Sequence, residues 1–135
     1  MYKAKSKTDP NHVVAIKIIH KAVLDDFTKE SLKNEVEILN ILDHPNISKL
    51  LELYDEPQYI YMVMELLPGG ELYDRLIDAD DPMTEKKASE LVYKIIKALN
   101  HCHDQNIIHR DLKPENIVFD MHDEPKLVDF GLAII

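Results

Sequence analysis

Residues 107–118 read IIHRDLKPENIV in one-letter code, and this stretch decides the fold. Its two ends are apolar: Ile107 and Ile108 lead in, and residues 117–119 lead out. Short apolar runs beside turn-forming residues predict two buried strands. The charged and amide side chains between them therefore belong to a loop that is held against a core.

The polar residues of this loop have no solvation reason to lie beside buried strands. An unpartnered polar group near a core costs roughly 1–3 kcal/mol, so Asp111, Lys113 and Asn116 need partners or a chemical role. A carboxylate followed five residues later by an amide suits Mg²⁺ ligation and the orientation of a hydroxyl. Asp129 follows at a suitable remove. The residues themselves therefore indicate phosphoryl transfer.

The composition fits one globular domain or part of a larger one. The chain has 135 residues, of which 45% are apolar and 30% charged. Its net charge of −9 disfavours nucleic acid and anionic membranes as partners. No apolar run is long enough to span a bilayer, and no signal peptide is evident. The single cysteine, Cys102, excludes an internal disulfide and fits a reducing compartment, so we expect a cytoplasmic protein.

The first part of the chain predicts a β-rich unit with one helix. A hairpin is predicted over residues 1–20, and its second strand carries Lys17 among apolar residues. A helix is predicted over residues 26–42, with Glu35 in its apolar stripe. Pairing Lys17 with Glu35 would give each charge a partner. On local pattern alone, Lys17 is equally well explained as an edge lysine that reaches water.

Two more strands and a bend follow. The strands are predicted over residues 47–54 and 58–65. Proline and paired glycine in Leu66-Leu-Pro-Gly-Gly70 end regular structure and allow bending. This segment is therefore predicted to link two lobes, with the first lobe at residues 1–66, a hinge at 67–70 and the second lobe at 71–135.

The second lobe is predicted to begin with helices, a short one at residues 71–77 and a long one at 84–104 capped by Thr84. The long helix carries an apolar stripe that is predicted to face the core: Ala88, Leu91, Val92, Ile95, Ile96, Leu99 and Cys102. Adjacent helical residues point about 100° apart, so the histidines beside Cys102 do not suggest a zinc site. A last short strand is predicted over residues 126–128.

Four motifs now stand in order: Val14-Ala-Ile-Lys17, Glu35 in a helix, residues 109–116, and Asp129-Phe-Gly131. Together they resemble a eukaryotic protein kinase. The sequence Leu-Lys-Pro-Glu-Asn is similar to the serine/threonine branch, and Met64–Leu72 resembles the calcium/calmodulin-dependent and calcium-dependent kinases. The resemblance covers essentially the whole chain. It implies an α+β, two-lobe kinase-like fold that is incomplete: a small β-lobe without its first strand, and the start of a helical large lobe.

The resemblance implies ATP as a cofactor, with Mg²⁺. Lys17 would hold the α- and β-phosphates, and Glu35 would hold Lys17 in place. The other residues implied to contact the nucleotide surround the adenine and ribose: Ala15, Met64, the backbone at Glu65 and Leu67, and Glu71.

The same resemblance assigns roles in the loop at residues 109–116. Asp111 would orient the attacking hydroxyl and accept its proton, while Lys113 would offset charge on the transferred group. Asn116 and Asp129 would ligate Mg²⁺. His109 would be structural, and Arg110 would pair with a phosphorylated residue of an activation loop.

The implied partner is a protein substrate, and the acidic Glu71 and Glu115 make basic residues near its phosphosite plausible. Regulation by calcium or calmodulin is compatible with the resemblance but is not encoded in these residues. No glycine precedes Gly69, so the family's glycine-rich loop is missing, and the chain stops four residues after Gly131. We therefore expect a fragment with little or no kinase activity on its own.

Two other functions compete with this interpretation. One is a non-catalytic, kinase-like module that binds a nucleotide or a partner, although Lys17, Asp111 and Asp129 are all intact. The other is a small-molecule phosphotransferase, which can share the spacing of the loop. The Lys-Pro-Glu sequence between Asp111 and Asn116 argues against the latter.

Overall fold

A four-stranded antiparallel sheet forms the first half of the chain in the computed structural model, which describes residues 1–135. Its strands are β1 (Tyr2–Lys5), β2 (Val13–His20), β3 (Leu50–Asp55) and β4 (Tyr59–Glu65), in the order β1-β2-β4-β3. The predicted hairpin at residues 1–20 and the two later strands are thus confirmed. A 3₁₀ turn over Lys21–Val23, which the sequence did not predict, leads out of β2.

Helix α1 (Asp26–Ile41) follows the hairpin, as predicted. Its first turn is capped by Asp25, whose carboxylate accepts a hydrogen bond from the Thr28 N–H at 2.7 Å. The helix buries Leu32, Ile38 and Leu39 in the core that it shares with the sheet. The predicted apolar stripe therefore faces inward and carries Glu35 with it.

The second half consists of helices and a small hairpin. Helices α2 (Leu72–Ile77) and α3 (Glu85–Asp104) precede strands β5 (Ile117–Phe119) and β6 (Pro125–Leu127), which pair antiparallel. The Thr84 hydroxyl accepts a hydrogen bond from the Lys87 N–H at 3.2 Å, so the predicted cap is present. The predicted α+β class is confirmed, and none of the three helices is long and apolar enough to cross a membrane.

The residues just before the loop do not form the predicted strand. Helix α3 ends at Asp104, the chain turns at Asn106 with φ 58°, and the Ile107 N–H donates to the Cys102 carbonyl at 2.9 Å. This is the closing hydrogen bond of a helix C-terminus, with buried Ile107 as its apolar contact. Ile108 forms only an isolated bridge to Ile134. The loop thus lies between a helix end and β5 rather than between two strands.

The predicted stripe on α3 is wider than the surface that covers it. Ile95 and Cys102 are buried, and Leu99 packs against the core. Val92 and Ile96, however, are 50% and 58% exposed. Both lie at the edge of the stripe, where no other element of the chain covers the helix, so their prediction as core residues was wrong.

The segment that follows α1 joins the two halves. The Leu127 N–H donates to the Asn46 carbonyl at 2.8 Å, and the Ser48 N–H donates to the Leu127 carbonyl at 2.9 Å. The Asn46 side chain adds a buried hydrogen bond to the Pro125 carbonyl at 2.9 Å. Strand β6 is therefore held by residues 46–48 of the first half, immediately before the chain reaches Asp129.

Candidate active site

A cavity of about 450 Å³ lies between the sheet and the second half of the chain. Most of the site residues predicted from the sequence line it: Ala15, Lys17, Glu35, Met64, Glu65, Leu67, Glu71, Asn116 and Asp129. The two remaining ones lie just behind this wall: Asp111 accepts a hydrogen bond from Asn116, and the Lys113 ammonium lies beside Asp111. Residues that are up to 114 positions apart, from Ala15 to Asp129, are thus brought to one place.

The register of β2 places the ammonium of Lys17 beside the helix. Lys17 stands opposite Met62 and Ala15 opposite Met64, so Lys17 and Ala15 share the face that lines the cavity. The Lys17 Nζ lies 3.9 Å from the Glu35 Oε2. The alternative of an edge lysine paired only with water does not describe this arrangement.

The carboxyl group of Glu35 is the more buried member of this pair, with 12% of its side chain exposed against 42% for Lys17. Burial raises the pKa of Glu35, the ammonium of Lys17 counteracts the rise, and the negative charge of Asp129 adds to it. At 3.9 Å the ammonium is a loose partner for Glu35. Lys17 therefore keeps N–H donors for a second anion in the cavity.

Asn116 organises the loop. Its buried Nδ2 donates to both the backbone carbonyl and the Oδ2 of Asp111, each at 2.9 Å. The Nζ of Lys113 lies 3.4 Å from the same Oδ2. Because both N–H groups of the amide are engaged, its Oδ1 is left as an acceptor at the cavity wall.

His109 supports the loop and is not placed to act as a base. Its Nδ1 accepts a hydrogen bond from the Asp111 N–H at 3.2 Å, so the ring proton lies on Nε2, which donates to the Val128 carbonyl at 2.9 Å. The buried ring also packs edge-to-face on Phe130, with centroids 4.7 Å apart. Both ring nitrogens are therefore occupied by structural hydrogen bonds. The neighbouring Arg110 donates through Nε to the Leu132 carbonyl at 2.6 Å.

Asp129 has a left-handed backbone, with φ 60°. Its Oδ1 accepts a hydrogen bond from the Gly131 N–H at 3.2 Å, and Phe130 between them is buried. An aspartate tolerates this conformation better than most residues because its side chain can bond the local backbone. The turn leaves Asp129 exposed at the cavity wall, while Phe130 anchors the segment in the core.

The oxygen donors at the cavity fit Mg²⁺ only if other ligands, such as phosphates, share the ion. No cluster of three or more histidine, cysteine or acidic side chains capable of holding a metal is present. Asn116 and Asp129 offer hard oxygen atoms, and Mg²⁺ is commonly bound by one or two such groups together with water and substrate phosphates. These residues therefore suit a metal that arrives with a phosphorylated ligand.

Sequence reasoning missed part of the apolar lining. Met62, Val118 and Phe130 also line the cavity. Met62 lies two residues before Met64 on β4, so strand periodicity alone would have placed both on one face. Val118 follows Asn116 by two positions and carries a comparable signal.

A sheet with a lysine, a helix with its glutamate partner, and a polar loop meet at one cavity, an arrangement that suits a phosphorylated ligand. A family model described as protein kinase domain matches residues 1–135, and the chain belongs to the protein kinase family. The predicted resemblance is thereby confirmed.

Several similar proteins agree with this assignment. Calcium/calmodulin-dependent protein kinase type 1 of Macrobrachium nipponense is 44% identical over 133 residues, which cover 96% of this chain and 38% of that protein. The protein of the same name from Caenorhabditis elegans is 43% identical, covering 98% and 38%. Myosin light chain kinase A of Dictyostelium discoideum is 45% identical, covering 90% and 42%. The chain thus spans about two fifths of the length of these relatives.

Proposed function

We propose that this chain supplies the nucleotide site and the catalytic loop of a protein serine/threonine kinase, which transfers a phosphoryl group from ATP to a protein hydroxyl. One observation carries the proposal. The Lys17–Glu35 pair, the Asn116–Asp111 unit and Asp129 converge on a single cavity that also has apolar walls. Phosphoryl transfer needs this combination of positioning and charge stabilisation.

The nucleotide is proposed to lie across the sheet side of the cavity. Ala15 and Met64 offer apolar surface to the adenine, and the backbone at Glu65 and Leu67 offers hydrogen bonds to its edge. Glu71 is proposed to lie near the ribose. Lys17 would bind the phosphates with the N–H donors that Glu35 leaves available.

The loop is proposed to handle the substrate hydroxyl. Asp111 would orient the hydroxyl and accept its proton, in a position that Asn116 fixes through two hydrogen bonds. Lys113 would balance charge on the transferred group. Asn116 Oδ1 and Asp129 would hold Mg²⁺, which neutralises charge on the phosphates when it is bound.

The protein substrate is proposed to carry basic residues near its phosphosite. Glu71 and Glu115 both line the cavity, and the chain has a net charge of −9. Opposite charges favour encounter and register. We propose a cytoplasmic location, which suits the single, unpaired Cys102. Calcium/calmodulin dependence is in the names of two of the relatives, and for this chain it is part of the proposal only.

Binding of a fluorescent ATP analogue, measured with and without Mg²⁺, tests the proposal. The unmodified chain and the surface control Asp80→Asn are expected to bind more tightly when Mg²⁺ is added. Asp129→Asn removes a ligand charge and is expected to abolish this metal dependence. Tight metal-independent binding, or none, would instead support the non-catalytic module. With a basic serine peptide as acceptor, the chain on its own is expected to give little or no turnover, and any turnover that it does give should be lost in Asp111→Asn; turnover that survives this substitution would contradict the role of Asp111.

A further inference from the structure

The end of the predicted hinge is fixed to the second half of the chain. The Gly69 N–H donates to the Phe119 carbonyl at 2.8 Å, and the Phe119 N–H donates to the Gly70 carbonyl at 2.9 Å. Glu71 continues this pairing as a bridge to Val118. A β-carbon on Gly69 would lie 2.7 Å from that of Phe119, so only glycine permits the approach. The unanchored part of the linker is therefore residues 66–68.

Arg75 of α2 covers this junction with three contacts. Its guanidinium carbon lies 3.5 Å from the centroid of the Phe119 ring, and its Nη2 donates to the Gly69 carbonyl at 3.1 Å. Nη2 also forms an ion pair with Asp123, in the turn between β5 and β6. The hydrogen bond from Arg75 lowers the pKa of Asp123. One side chain thus joins a helix, the linker, a strand and a turn.

The three contacts do not contribute equally. Asp123 is 72% exposed, so its ion pair with Arg75 is largely screened by water and contributes little. Phe119 is buried and the hydrogen bond to the Gly69 carbonyl is partly buried, so water screens the stacking and this hydrogen bond less than it screens the ion pair. A planar guanidinium can stack on a ring and donate in its own plane at the same time, which an ammonium cannot.

We propose that Arg75 is a positioning residue for the nucleotide site. By clamping Gly69 to Phe119, it fixes the end of the linker and so sets where the backbone of Leu67 and the side chain of Glu71 meet the nucleotide. This inference rests on the proposed nucleotide binding for its functional consequence. The clamp itself rests only on the contacts of Arg75.

Amide hydrogen exchange of the full chain tests the clamp directly. Arg75→Met keeps apolar packing on Phe119 but removes the guanidinium. The amides of Gly69 and Phe119 are expected to exchange about tenfold faster, because a hydrogen bond and a cation–π contact are lost. Arg75→Lys is expected to restore this only in part, and Asp123→Asn should change little. Lys86→Met, which removes an exposed cation from α3, is the matched control.

Nucleotide affinity distinguishes a positioning role of Arg75 from a purely structural one. Arg75→Met is expected to weaken the binding of adenosine, which depends on the linker, and to leave the binding of Mg²⁺-tripolyphosphate unchanged. Three outcomes would overturn the inference. They are unchanged amide exchange rates at Gly69 and Phe119 in Arg75→Met, fully restored slow exchange in Arg75→Lys, and an equal rise of the exchange rates throughout β2 and α3. If the unmodified chain binds neither probe, the proposed function fails, whereas the exchange data still decide whether Arg75 clamps the linker.

Discussion

Substitution of Asn116 offers the sharpest test of the loop geometry, because one buried amide serves two acceptors of Asp111. Asn116→Ala removes both hydrogen bonds and leaves the carboxylate with only Lys113 nearby. Asn116→Asp keeps the shape but replaces the two donors by a second carboxylate. The two variants therefore separate the loss of a partner from the addition of a repulsion.

The geometry fixes the expected magnitudes. A hydrogen bond to a charged group contributes about 1.5–3 kcal/mol and one to a carbonyl about 0.5–1.5 kcal/mol. Because 24% of the Asp111 side chain is exposed, water compensates part of this loss. We expect Asn116→Ala to lower the free energy of unfolding by about 2–3 kcal/mol. Two carboxylates whose charges lie about 4 Å apart repel by about 4 kcal/mol at an effective dielectric constant near 20. Asn116→Asp should therefore be the less stable variant at neutral pH.

The two variants also differ in their dependence on pH. In Asn116→Asp, the folded state gains by sharing a proton between the two carboxyl groups and so binds that proton more tightly than the unfolded chain does. Its free energy of unfolding should consequently rise, relative to that of Asn116→Ala, as pH falls from 7.5 to 4.5. Urea denaturation followed by circular dichroism at both pH values measures this difference.

Asn100 provides a matched control for this experiment. Its Nδ2 also donates to an aspartate, Asp104, at 3.0 Å, but both residues are exposed on α3. The Ala and Asp variants of Asn100 should each cost less than about 0.5 kcal/mol. If Asn116→Asp is as stable as Asn116→Ala at pH 7.5, or if the Asn116 variants behave like those of Asn100, the buried coupling to Asp111 is refuted.

Three further predictions follow from single residues. Gly69→Ala would place a β-carbon 2.7 Å from that of Phe119 and should lower the free energy of unfolding by about 2–3 kcal/mol. Gly70→Ala meets no atom within 4 Å and should lower it by about 1 kcal/mol, because the residue has a φ of 80°. Thermal unfolding measures both variants, and a less stable Gly70→Ala would contradict this prediction. Burial raises the pKa of Cys102 from 9.0 to about 11. A thiol reagent at pH 8 should therefore react at least about 100-fold more slowly with the folded chain than with the chain in urea. Similar rates would instead show that the thiol is accessible. Burial lowers the pKa of His44 from 6.5, so the unfolded chain binds a proton on this ring more tightly, and the free energy of unfolding falls as pH drops through 6.5. His44→Gln should therefore lose less stability than the unmodified chain between pH 7.5 and 5.5. A steeper loss in the variant would contradict this prediction.

Much of the fold follows from periodicity, because burial of one face imposes a repeat on the sequence. Helix α3 was predicted over residues 84–104 and runs over Glu85–Asp104. The approach of Lys17 to Glu35 was also predictable, since each charge stands in an otherwise apolar stripe and needs a partner. The helix is indicated by a local repeat of apolar residues. The ion pair is indicated by two isolated charges that can each serve as the other's partner.

The contacts that hold the elements together left no such signal. Ile107 looks like the start of a strand, but its N–H closes the end of α3, which depends on Asn106 adopting a positive φ. Arg75 resembles any polar residue on a short helix until β5 is placed beneath it. Asn46 follows a helix end, yet its side chain bonds the Pro125 carbonyl 79 residues later. Such partners are set by tertiary packing, and a single sequence does not encode their pairing in any repeat.

These unpredicted contacts account for the geometry of the predicted site. The Val128 N–H donates to the Asn116 carbonyl at 2.9 Å, and its carbonyl accepts from His109, so the residue before Asp129 is bound on both sides to the loop. Residues 46–48, which belong to the half of the chain that carries Lys17, hydrogen-bond to Leu127 at the end of strand β6. Asp129 is therefore placed largely by hydrogen bonds that both halves of the chain make to the residues just before it. The charged residues specify the chemistry, whereas the distance between them is determined by how β6 docks.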